Sequence, residues 1–413
     1  MRRIEHRQPF LREFGRGVLL IALAVAFTAL GHRTSAVRGL ERANLDILYA
    51  LQGWGVHSDI DIVEITDSDY ERLFNRHSPL DPATVVQIIN GIAVAGAKVI
   101  GVDILTESWP VDALRGLDQR VPIVWIREVD RHTGAAAGLG PVLGAAGDSV
   151  CQGPEAIHQI FGVAREFEPF VRVAGNGLVP SFTRVIEAKV ADPASAGCGH
   201  EAPAVASEEI VEPIPFIGPA GVFRRFSAAT ILTAMHEPEW RQNQVMKGHI
   251  VLLGGTFPAS RDYYDTPVQE GMYGVAILAN IIGGRIFAEA HWTAFLVIDI
   301  AVGLVLLTIG YYVGSVWRLG LITALIIAIS FGSLLLFQYF RFYLSLMPVL
   351  VGIAIHFLLE LFHHQRELRR EYAELQAKNA ALVEEIDRLK ADQPVVSRPD
   401  ENGGKQGGAV GLA

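Results

Sequence analysis

The sequence predicts an exported α/β domain joined to an α-helical membrane block of one plus three transmembrane helices, with a C-terminal coiled-coil helix. Three observations carry that expectation. First, 293–362 contains three apolar runs (294–313, 319–338 and 342–362), each about 20 residues, the length that crosses a bilayer as a helix. Its only acidic or basic side chains are Asp299, Arg318, Arg341 and Glu360, and Arg318 and Arg341 fall in the breaks between runs. Second, an Arg-rich start precedes a further apolar run. Third, 38–292 alternates β-branched apolar strands with helical patterns, which is the signature of an α/β domain.

Residues 1–16 carry five Arg and two Glu. By the positive-inside rule Arg2, Arg3, Arg7, Arg12 and Arg16 stay in the cytoplasm, so the span predicted over 17–36 leads outward. The apolar core of this run, at about 15 residues, is short for a span and close to a signal-peptide core, with Thr34-Ser35-Ala36 as a possible cleavage site. Both readings export the segment beyond it. Residues 38–292 hold 31 acidic and 19 basic residues, about −12, within a chain of net charge −9. Phosphate binding needs clustered Lys and Arg, so an acidic segment of this kind excludes a nucleic-acid-binding surface.

Within the exported segment, 45–51 is a short amphipathic helical pattern and 60–66 an alternating β-branched strand ending in Asp67-Ser68-Asp69. Asp81-Pro82 supplies an N-cap and a first-turn proline for a helix to about residue 95. A second apolar strand is expected over 98–105, completing a strand–helix–strand unit, and 122–126 is a candidate third. The Gly- and Ala-rich middle, 133–209, has no clear periodicity, and 134–147 reads as a loop. Pattern returns with a strand over 212–217 and a Ser227-capped helix to 236. A strand over 249–254 comes next, running into Gly255-Thr256, and then a helix over 274–290.

Counting spans from an exported domain places the Arg318 turn in the cytoplasm and the Arg341 turn outside. Arg366, Arg369 and Arg370 then fall where positive-inside requires them. The chain is thus expected in a bacterial inner (plasma) membrane with both termini cytoplasmic. Over 361–391 the pattern becomes heptad. Leu368, Leu375, Leu382 and Leu389 occupy d, and Tyr372, Asn379 and Ile386 occupy a. Leucine at d with one Asn at a favours a parallel homodimer in fixed register. The alternative is a lone charged juxtamembrane helix. Residues 392–413 have almost no apolar bulk and read as a disordered tail.

Several stretches, in order, resemble a known family. They are the 60–66 strand with Asp67-Ser68-Asp69, AGAKVIGVDIL at 95–105, KGHIVLLGGT at 247–256, DYYDTP at 262–267 and GVAILANII at 274–282. Together with one span before and three closely spaced spans after, this resembles the second type of CHASE domain, an extracytoplasmic sensory module. The resemblance implies a bacterial sensor that relays an outside stimulus to cytoplasmic output. Such domains are usually fused to a cyclase or kinase. Only about 50 residues come after the last span, too few for such a domain, so the output partner is expected to be a separate cytoplasmic protein. The stimulus is expected to be a small ligand or an envelope protein. A structural scaffold subunit of a membrane complex is the alternative.

Candidate sites come from both readings. Asp67, Asp69 and Asp103 fall near the C-terminal ends of strands, where open α/β sheets bind ligands. They are candidates either for a cation or amine contact or for holding loops, and Asp103 stands in an otherwise apolar strand. Gly255 and Thr256 could cradle an anion. The resemblance adds Asp262, Asp265, Thr266 and Asn280, though such residues are also ordinary turn formers. Cys151 and Cys198, the only cysteines, would both be exported, which favours one disulfide. It would close a loop of about 50 residues, worth roughly 3–4 kcal/mol through the unfolded state. His158 and His200 match no usual zinc spacing, so neither metal nor cofactor is expected. Asp299 sits in the outer half of its span and is either functional or facing the interface. No HExxH, GxSxG, GxxxxGK[ST] or strand-borne GxGxxG occurs, so the chain is not expected to be an enzyme.

Overall fold

The computed structural model describes 35–106, 108–129, 142, 150–154, 157–174, 177–193, 211–284 and 315–340 of one unit, Met1–Leu350. Of a second unit, Val351–Ala413, it describes 365–366, 368–386 and 388. The predicted tail 1–16, nearly all of span 17–36, spans 294–313 and 342–362, Asp299, Cys198, Leu389, most of 134–147 and the tail 392–413 lie outside the described residues.

A six-stranded, wholly parallel sheet organises the first unit. Its strands are β1 (His57–Ile65), β2 (Val99–Asp103), β3 (Ile123–Arg127), β4 (Val150–Pro154), β10 (Phe223–Ser227) and β11 (Ile250–Gly255). They lie in the order β10-β1-β11-β2-β3-β4. Strands of a parallel sheet covered on both faces are apolar throughout, and β2, β3 and β11 are buried along nearly their whole length.

Alternate residues feed two cores. Val63, Ile65, Ile100, Val102, Ile123, Val251 and Leu253 pack under α2 (Asp67–Phe74), α3 (Pro82–Val94), α5 (Ala228–Ala234) and α6 (Pro238–Asn243). Ile60, Ile62, Val99, Val124 and Leu252 face the opposite layer, α1 (Ser35–Leu51), α4 (Phe182–Ala191) and α7 (Gly274–Gly284). The period of two in each strand and the turn spacing in each helix thus build a helix–sheet–helix sandwich. Short antiparallel pieces flank it: β5 (Ile157–Ile160), β6 (Val163–Phe167) and β9 (Glu212–Pro213) in one sheet. Others are β7 (Phe170–Val173) with β8 (Gly177–Pro180), and β12 (Tyr263–Tyr264) with β13 (Met272–Tyr273).

Edge strand β10 is clamped to β1 by two arginine forks. Arg224 donates to the fully buried Asp61 (Nε–Oδ1 2.8 Å, Nη2–Oδ2 2.5 Å), with His249 Nδ1 3.0 Å from the same carboxylate. Arg225 holds Glu64 at 2.5 and 2.7 Å. Bidentate geometry is what lets these carboxylates remain buried.

The structure corrects several expectations. The strand–helix–strand unit β1-α3-β2 is split, because β11 inserts between β1 and β2. Strand β1 ends at Ile65, and Asp67-Ser68-Asp69 is the first turn of α2 rather than the end of the strand. The strand predicted over 212–217 is only two residues long, because 214–218 turns its backbone toward side chains of α1 and α7. Strand β10 has two arginines and no alternation, which hid it in the sequence. The middle segment, without periodicity, holds β4–β8 and α4.

The last described helix of this unit, α8 (Ser315–Phe340), contains the predicted span 319–338 and carries one charged residue, Arg318. Among the residues described down to their side chains, no helix is long and apolar enough to cross a membrane. α8 is so described without a break only over 330–339. Its C-terminal end packs on α1: Phe337 meets Tyr49 edge-on at 5.4 Å, and Gln338 Nε2 donates to Leu51 O at 3.1 Å. In the second unit, 368–386 is helical and none of its residues is buried, with Leu368, Tyr372, Leu375, Leu382 and Ile386 about half exposed or more.

Candidate functional site

Parallel strands all end on one edge of the sheet, and that edge gathers the acidic residues that stand out in the sequence. β2 delivers Asp103 there, in register with Gly254 of β11. A turn after β11 brings back Asp262, whose carboxyl hydrogen-bonds with the Asp103 side chain and accepts from Tyr264 and from the N–H of Gly274. Gly274 starts α7, and its N–H also donates to Asp262 O at 3.0 Å. A Cβ at 274 would collide with both Asp262 carboxyl oxygens, so only glycine lets the carboxyl sit against the helix start. There the backbone dipole favours negative charge.

Burial dominates the electrostatics. It pushes the Asp262 carboxyl above its ordinary value of 3.8, while hydrogen bonds from Tyr264 and Gly274 and with Asp103 pull downward. Two carboxyls can share a hydrogen bond only when one is protonated. Burial at this edge therefore favours the protonated form of the Asp262 carboxyl. A cation or an ammonium group seated between the two oxygens would do the same electrostatic work.

The other predicted residues serve different roles. Asp69, 2 % exposed, closes a capping box with Thr66: Thr66 N and Oγ1 donate to Asp69 Oδ2 at 3.1 and 2.8 Å. Asp67 is exposed in the same first turn. Gly255 packs beside Phe257 and Ser260, and Thr256 N donates to Ile65 O at 2.9 Å, so that N–H is already committed within the fold. Asp265 Oδ1 accepts from Gly271 N at 3.1 Å, and Thr266 closes a turn with Gln269. Asn280 is fully buried, and its Oδ1 accepts from Ile217 N (2.7 Å) and Gly218 N (3.2 Å). Cys151 is buried on β4. Among the described residues no group of three or more His, Cys, Asp and Glu is placed to hold a metal ion.

Sequence reasoning missed Tyr264, which lies inside the DYYDTP stretch, and the contacts that tie α1 down. Tyr49 Oη donates to Ile214 O at 2.8 Å, and Gln52 Nε2 to Phe216 O at 3.0 Å. The 214–218 segment is thus gripped by α1 from one side and by Asn280 of α7 from the other. The only available signal was the polar tip of Tyr49 in an apolar pattern.

A family model described as the CHASE2 domain matches residues 19–315 of the chain. No curated protein and no solved structure matches.

Proposed function

Because the chain belongs to the CHASE2 domain family, a family of extracellular sensory domains, we propose that it is a bacterial membrane sensor. In this reading the α/β domain detects an extracytoplasmic stimulus at the Asp103–Asp262 edge. The spans and a dimeric coiled coil carry the response to a separate cytoplasmic output protein. Recognition, rather than catalysis, is the proposed task of the site.

The observation that carries the proposal is the continuity of one set of contacts. The acidic pair sits on the first residue of α7. Six residues on, Asn280 of the same helix holds 217–218. That segment holds Tyr49 and Gln52 at the end of α1, and α1 holds Phe337 and Gln338 of α8. A ligand that prefers one arrangement of the pair can bias the others through these packed elements. The spans 17–36, 294–313, 319–338 and 342–362 belong to this reading, as does the parallel coiled coil over 361–391. The exposed Leu368, Tyr372, Leu375, Leu382 and Ile386, spaced by four, three, seven and four, are what a partner helix would cover. So does a Cys151–Cys198 disulfide, supported by the absence of free cysteines among the described residues.

Thermal unfolding of the full chain in nanodiscs, screened against monovalent and divalent cations and polyamines, tests the site. A ligand at 100 times its dissociation constant adds about 2.7 kcal/mol to the native state. Stabilisation is expected in the native chain and not in Asp262→Asn. Equal stabilisation of both chains contradicts the assignment of the site.

A further inference from the structure

We propose that α1 lies flat on the outer leaflet of the bilayer, with the exposed face of its C-terminal half and the 53–56 segment in contact with lipid. The inference rests on the proposed membrane reading and deepens it.

From Arg42 to its end, α1 has the polarity inverted from that of a helix on the surface of a water-soluble domain, which turns its charges outward. Here Arg42 faces inward to Glu166 (2.8 Å), and Asp46 receives Arg165 at 2.7 and 2.9 Å. The exposed positions between residues 43 and 56 are Ala43, Ile47, Ala50, Leu51, Trp54, Val56 and two glycines, with no charge among them. Ile47 and Leu51 are four residues apart and more than half exposed, and Trp54, three residues past the helix end, is 40 % exposed.

Both ends of α1 also meet the predicted bilayer level. Its first residue, Ser35, lies within the predicted span 17–36. Its last, Leu51, accepts a hydrogen bond from Gln338, the final residue of the predicted span 319–338. An upright helix of this length would lift Leu51 by about 24 Å, out of reach of a span that ends at the surface. A helix lying in the interface joins the two points without strain.

A separate element points to the same plane. Phe161, 78 % exposed at the β5–β6 hairpin tip, has its ring against Gly39, three residues past the predicted end of the first span. The lipid assignment comes from continuity: Ile327, Phe331, Leu335 and Tyr339 form an exposed stripe along α8 that reaches the Leu51 junction. Trp54 and Tyr339 near that junction are the residue types that settle at a lipid–water boundary.

Nitroxide labels placed one at a time through Ile47→Cys, Leu51→Cys, Arg72→Cys and Ile327→Cys test this. The full chain is reconstituted in phosphatidylethanolamine–phosphatidylglycerol vesicles, with the labelled native chain as blank. Arg72 is exposed on α2 and serves as the water reference. The ratio of oxygen to nickel-chelate accessibility is expected to be several-fold higher at 47 and 51 than at 72, and highest at 327. A high ratio at 327 with water-like values at 47 and 51 overturns the interfacial helix and leaves the membrane reading standing. Low access to both reagents at 47 and 51, with spin–spin broadening, overturns it in favour of a contact between two copies. A water-like ratio at 327 overturns the membrane reading itself.

Discussion

At Asp262 a buried carboxyl is held above its ordinary value, and the sign of its effect on stability comes from that. The folded state keeps a proton that the unfolded chain releases near 3.8. The group's contribution is therefore fully present below 3.8 and is lost as pH rises through the folded value. Asp262→Asn is expected to remove this loss: thermal unfolding from about pH 4 to 7 should show a smaller fall, or a larger rise, in the variant than in the native chain. Asn280 gives the second prediction at this scale. Replacing it by Ala leaves Ile217 N and Gly218 N without their side-chain acceptor, at a cost on the order of 3 kcal/mol read as a lower unfolding temperature. The sequence singled out Asp103, Asp262 and Asn280, but not what joins them. Their spacing along the chain carries no trace of the turn that folds Asp262 back onto Asp103, nor of Gly274 making room for it.

Helix α3 is the element whose physics was most legible. Asp81 accepts from Thr84 N (2.9 Å) and Oγ1 (2.6 Å), and Pro82 opens the first turn, as the sequence indicates. Those bonds from Thr84, its side chain first, hold the Asp81 carboxyl below its ordinary range. The cap's contribution is therefore present above 3.8 and lost as pH falls through the folded value. Asp81→Ala is expected to cost about 1 kcal/mol at neutral pH, measured as a shift in unfolding temperature that shrinks in acid. Less legible were β10 and the 214–218 segment. The sequence of β10 reads as polar because its arginines serve Asp61 and Glu64 on the neighbouring strand. Residues 214–218 are apolar like a strand, yet the carbonyls of 214, 216 and 217 accept from Tyr49 and Gln52, and the N–H groups of 217 and 218 donate to Asn280. Long-range partners decide both, and local periodicity does not encode them.

For the whole molecule, apolar alternation predicted an α/β domain, and the two cores on either face of the parallel sheet result from it. Strand order was not readable, since nothing local in β11 says that it inserts between β1 and β2. A sensor of the proposed kind must pass an external change at the acidic pair to its cytoplasmic helix. Disulfide cross-linking of Asn379→Cys in the full chain, oriented in vesicles with the domain outside, reads that transfer, with Leu375→Pro as the variant that should abolish the cross-link. Titrating the external pH from neutral down to about 4, or adding a cation that stabilises the native chain, is predicted to change the cross-linking yield. The same treatment should leave the yield unchanged when Asp262→Asn is present. A yield indifferent to the outside solution, or one that responds equally in both chains, would contradict transmission from the acidic pair.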